Sequence, residues 1–80
     1  MKLTDIQYLA RHAYRYRNNN NTDSLSRIAS CFNESETEAL DRIKKFESSE
    51  IGQIAISLQA RYESGEDVVD ETMYFYLQLI

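Results

Sequence analysis

Proline is absent from this chain and glycine occurs only at positions 52 and 65, so almost nothing in it interrupts a helix. The apolar–polar alternation that marks a half-buried strand is missing as well. An all-α fold follows. Its 80 residues leave room for one domain spanning residues 1–80, since single domains run from about 50 to 250 residues. A chain this short hides only about 60–65% of its unfolded surface, which predicts a thin core.

Apolar spacing and capping residues divide the chain into a compact bundle of four to five short helices. Thr4 and Gln7 have capping-box spacing and predict a helix from about 5 to 17, with Ile6, Leu9, Ala10 and Ala13 turned inward. Asn18 to Asn21 end it, because asparagine favours turns and left-handed backbone. Thr22 or Asp23 then caps a second helix whose Leu25, Ile28, Ala29 and Phe32 share a face. Ser35 and Glu38 form another capping box, before a third helix through Phe46 with Leu40, Ile43 and Phe46 inward. Its solvent side carries Glu38 with Arg42 and Asp41 with Lys45, both i,i+4 pairs.

A fourth helix follows Ser48 and Ser49, with Ile51, Ile54, Ala55, Leu58 and Tyr62 on its main stripe, and stops at Gly65. Ile56 and Ala60 fall on its other side. Asp67 caps the fifth, where Val68, Val69, Thr72, Met73, Phe75, Tyr76, Leu79 and Ile80 cover more than half the circumference. That is wider than a surface helix of a monomer needs, and it predicts pairing of two copies through residues 68–80. Leu79 and Ile80 are expected to dock. A strand over residues 72–80 is the lesser reading. The expected core is Leu9, Ala13, Leu25, Ile28, Phe32, Leu40, Ile43, Ile54, Leu58, Met73 and Tyr76.

Several classes fall away on elementary grounds. The longest apolar run, Met73 to Leu77, has five residues against the roughly 18–20 a membrane-spanning helix requires. Asp5 and Arg11 interrupt any secretory signal pattern at the start. The lone Cys31 has no partner for a disulfide within the chain, which fits a reducing, cytoplasmic setting. One histidine and one cysteine cannot assemble a zinc site. The two glycines stand thirteen residues apart, so there is no nucleotide-binding loop, and no aspartate-rich calcium loop is present. The expectation is therefore a protein without catalysis, metal or cofactor. His12 reads as an exposed histidine and Cys31 as a half-buried packing residue.

Charge is unevenly distributed. Residues 1–30 carry five basic against two acidic side chains, whereas residues 31–80 carry four against eleven. Such polarity gives a basic and an acidic face that steer a charged partner, unless folding mixes the two regions. Two clusters are candidate contact sites. Tyr8, Arg11, His12 and Arg15 share one side of the first helix, combining the arginine and aromatic chemistry found in interface hot spots. Glu34, Glu36 and Glu38 crowd the start of the third helix, where acids also favour the helix dipole. Ile56 and Tyr74 complete the set of proposed partner-contact residues.

Residues 24–47 resemble a helix-turn-helix in outline, with Leu25, Ile28, Ala29 and Phe32 before the turn and Ser35, Leu40 and Ile43 after it. The likeness is degenerate. Asn33 stands where glycine is usual, Glu34 occupies a normally apolar turn position, and the second helix opens on acids that repel phosphate. With an isoelectric point near 4.8, direct nucleic-acid binding is disfavoured. In size and acidity the chain is similar to small inhibitors made by phages and mobile elements, such as anti-CRISPR proteins, and to bacterial immunity proteins. The comparison is one of type and goes with an acidic, non-catalytic inhibitor or adaptor that occludes a larger protein, a nucleic-acid-binding complex being one candidate. The alternative is a transcriptional regulator using the helix-turn-helix-like segment or the basic face of the first helix.

Overall fold

The computed structural model describes residues 2–80, and among them the chain forms five helices and no strand: α1 (Leu3–Asn19), α2 (Thr22–Cys31), α3 (Glu36–Ser48), α4 (Glu50–Glu63) and α5 (Val69–Leu77). The all-α bundle is thus observed. α1 packs on α2 and α4, and α3 closes the ring by packing on the same two helices, while α5 is only lightly attached. Leu9, Ala13, Ile28, Ala39 and Ile43 are fully buried at the centre, joined by Ile6, Ala10, Ala55, Phe46 and Tyr76. Their mutual burial removes apolar surface from water, which is the main force holding the ring together.

The connections are short because each boundary residue satisfies backbone groups that the helices leave open. Asn20 ends α1 in the left-handed region at φ 50°, and its N–H donates to the Arg15 carbonyl. Asn21 immediately caps α2, its side chain accepting from the Asp23 N–H. Asn33 is left-handed too, at φ 52°, which lets the Glu34 N–H reach back to the Ala29 carbonyl at 2.9 Å. Asparagine tolerates this region better than other residues with a side chain. The Ser35–Glu38 capping box is present in full. Ser49 ends α3 and starts α4, accepting from the Gly52 N–H while its hydroxyl donates to the Phe46 carbonyl.

Several expectations need correction. Thr4 and Gln7 cap nothing: α1 starts at Leu3 behind Lys2, without a side-chain cap, because Leu3 packs on the core and carries the helix further back. Asn21, rather than Thr22 or Asp23, caps α2. Arg42 pairs with Glu34 instead of Glu38, whose carboxylate is engaged by the Ser35 N–H. α4 is rotated from the expected stripe. Its buried side is Gly52, Ala55 and Leu58, with Ile56 half-buried against the core, whereas Ile51, Ile54 and Tyr62 are exposed. The reason is close approach: a side chain at 52 would collide with the Phe46 carbonyl oxygen, so the small residues mark the contact.

α5 differs as well. Val68 occupies its cap position without a side-chain cap, and Asp67 accepts a 3.3 Å hydrogen bond from the Val69 N–H. Val68 and Tyr76 are buried and Phe75 and Leu79 pack on the core, so they take the inward side and leave Met73 in solvent. Leu79 docks as expected, but Ile80 remains 85% exposed. Leu25, Phe32 and Leu40 are only half-buried, the fully buried place in α3 going to Ala39. Cys31 is exposed, because Phe32 takes the inward position beside it.

Candidate protein-binding surface

The candidate contact residues of α1 mostly serve the fold. His12 is buried at 6% exposure, with Nδ1 and the buried Ser24 Oγ hydrogen-bonded at 3.2 Å across α1 and α2. Tyr8 is half-buried, tilted against the His12 ring at 4.4 Å between centroids, and its hydroxyl donates to the Arg27 carbonyl. The expectation of an exposed histidine is thus overturned: Ser24 offers a polar partner inside the α1–α2 contact, which removes the cost of burying the ring nitrogen. Burial pushes the His12 pKa below its ordinary 6.5, and Arg15, Arg11 and Arg27 push it the same way against a weaker Glu63. Arg15 donates to Glu63 at 3.3 Å, tying α1 to α4. Arg11 is the exposed member.

The acids opening α3 are engaged one by one. Glu34 takes two bonds from the Arg42 guanidinium, at 2.7 and 3.1 Å, and Arg42 lies 4.0 Å above the Phe32 ring. Glu36 accepts from the Ser26 hydroxyl, and Glu38 completes the capping box. They brace the α2–α3 turn. Ile56, packed on the core, also leaves the contact set.

What remains open is the surface of α4 and α5. Along α5, Val69, Met73 and Leu77 recur at i, i+4 and i+8 with Tyr74 beside Leu77, and Ile80 follows just past the helix end. Met73 is 58%, Leu77 62% and Tyr74 69% exposed. A groove of about 330 Å³ runs beside them, bounded by Gln7 and Arg11 of α1, Leu58 and Tyr62 of α4, and Val69 and Met73 of α5. Ile51 and Ile54, in the first half of α4, are exposed too. The groove and the outer side of α5 are the candidate contact surface, since open apolar patches of this kind suit a partner. Sequence reading found the excess of apolar residues on α5 but assigned Met73 to the core. The amphipathic pattern does not say which part of an over-wide stripe a neighbour covers.

The surface is acidic at its edge. From Arg61 to Glu71 one arginine stands against five carboxylates. Arg61 donates to both Glu66 and Glu71 at 2.7–3.0 Å, and these bonds hold both carboxyls below the ordinary carboxylate value. The clamp fixes the α4–α5 connection, where Gly65 takes the left-handed region at φ 94°. Among the described residues no cluster of His, Cys, Asp or Glu has the geometry to hold a metal, and no helix is long and apolar enough to cross a membrane. No protein-family model, curated protein or solved structure matches the chain.

Proposed function

We propose that this protein is a non-catalytic interaction module, an inhibitor or adaptor that occludes or bridges a larger protein through its α4–α5 face. The observation that carries this reading is the exposed line of Val69, Met73, Leu77 and Ile80 on a helix whose inward side is already satisfied by Val68, Phe75 and Tyr76. The net charge of −4 suits a partner with a basic surface, such as a nucleic-acid-binding protein, and agrees in type with small inhibitors of phages and mobile elements. Replacing Met73 and Leu77 by glutamate leaves the fold intact and abolishes capture of one dominant, nuclease-resistant partner from host lysate. Unchanged capture by the double variant refutes the assignment of this face. Light scattering on the isolated protein separates a foreign partner from a second copy paired through residues 68–80.

A second reading is a regulator that binds nucleic acid through the α2–α3 segment or the arginines of α1. It is favoured by Asn33, whose left-handed backbone fills the place that glycine holds in helix-turn-helix units. Glu34, Glu36 and Glu38 at the start of α3 oppose it. Duplex DNA binding that weakens steeply with salt and is lost on Arg11→Glu with Arg15→Glu supports this alternative; no binding up to about 100 μM protein removes it.

A further inference from the structure

The α4–α5 face combines two properties that together specify an occupant. Its apolar line runs about 12 Å along α5 from Val69 to Leu77, a little over two helical turns at 1.5 Å per residue, with Ile80 just beyond the helix. Asp70 lies on the same exposed side, at i, i+4 and i+7 with Tyr74 and Leu77. Among the described residues Asp70 and Asp67 take part in no ion pair. Residues 50–80 hold six carboxylates and a single cation, Arg61; Glu66 and Glu71 are engaged by Arg61 and Glu63 by Arg15 of α1, which leaves Glu50, Asp67 and Asp70 without a cation among the described residues.

Building on the interaction reading above, we propose that this face receives the apolar side of a basic amphipathic helix on the partner. Its apolar residues lie along Val69, Met73 and Leu77 and enter the groove beside Leu58 and Tyr62, while its lysines and arginines meet Asp67 and Asp70. Arg11 on the α1 wall of the groove is a cation, so the partner's basic edge is the one turned toward α5. A second copy of this chain is the poorer occupant, because it brings its own unpaired Asp67 and Asp70 to the same face with only Arg11 to meet them, whereas a basic helix offers a cation at every turn. A neutral apolar helix fills the groove but brings those carboxylates no cation.

The test uses the full chain and three labelled amphipathic peptides of about 18 residues, with leucines on one side and lysines, glutamines or glutamates on the other, followed by fluorescence anisotropy. The lysine peptide binds at low salt and weakens as salt rises, the glutamate peptide does not bind, and the glutamine peptide binds at least about tenfold more weakly. Asp67→Asn with Asp70→Asn lowers lysine-peptide affinity about tenfold, and Met73→Ser with Leu77→Ser abolishes binding. A control with two acids neutralised elsewhere, Glu36→Gln with Asp41→Asn, leaves it unchanged. Equal affinity for the lysine and glutamine peptides overturns the charge assignment while the interaction reading stands. So does a control variant as weak as the Asp67/Asp70 variant, which reports unspecific attraction. A dimer in light scattering that Met73→Ser and Leu77→Ser dissolve overturns it in favour of a second copy. Failure of all three peptides to bind a chain that is folded by circular dichroism removes the docking face and the interaction reading together.

Discussion

His12 is where a single proton acts most directly on this fold. Its ring is enclosed by Tyr8 and Ser24, and the arginines at 11, 15 and 27 oppose a charge on it. Because its pKa is lowered in the folded state, the unfolded chain takes up the proton first as pH falls below 6.5. Stability contributed by the neutral ring is complete above that value, declines as pH drops through the folded pKa, and changes no further below it. Thermal unfolding followed from about pH 7.5 to 5.5 shows a falling midpoint, and His12→Gln, which keeps a hydrogen-bonding group toward Ser24, flattens the fall. An equal slope in the variant places the effect elsewhere. A second residue-level test concerns Arg42, which serves as both ion-pair partner of Glu34 and lid on Phe32. Lysine keeps the charge but has neither the fork nor the flat face. Arg42→Lys therefore costs about 1 kcal/mol, a drop of about 4–8 °C in the unfolding midpoint for a domain of this size.

At the scale of elements, the α3–α4 corner and α5 are opposites. The corner is tight, with Ser49 serving both helices and Gly52 lying against the Phe46 carbonyl. Alanine is the better helix former by about 1 kcal/mol, yet Gly52→Ala drives a methyl group into backbone and destabilises the protein by a net 1–3 kcal/mol or so. The urea midpoint moves down without a change of slope; a rise refutes the close approach. The sequence made the helices legible through the absence of proline and through Ser35 and Glu38, which cap as their spacing says. It misplaced the face of α4, because hydrophobicity ranks Ile51 and Ile54 above Gly52 and Ala55, while helix contact here is decided by how near two backbones come. It missed the buried His12 because a hydrogen bond to Ser24 crosses between helices, and no periodicity within α1 reports it. For the binding surface, the over-wide stripe of α5 was the readable signal. Which part of the stripe stayed open depended on Tyr76 and Phe75 turning inward.

For the molecule as a whole, charge pairing is uneven: Arg15 with Glu63 and Arg17 with Glu47 join the basic α1 to acids of the second half, while among the described residues Asp67 and Asp70 beside α5 enter no ion pair. Attachment is uneven as well, since α1 to α4 close on one another while α5 rests on a few side chains and the Arg61 clamp. Native-state hydrogen exchange shows α5 opening at the lowest free energy and α1 and α3 near the global value; protection of α5 equal to that of α1 contradicts this ranking. The light attachment of α5 bears on recognition itself. A helix that is loose before capture must give up motion on being captured, so a change that quiets it in the free protein raises affinity without adding a contact. On the proposed reading Arg61, whose ion pairs reach Glu66 and Glu71, thereby governs how tightly that line would hold a target.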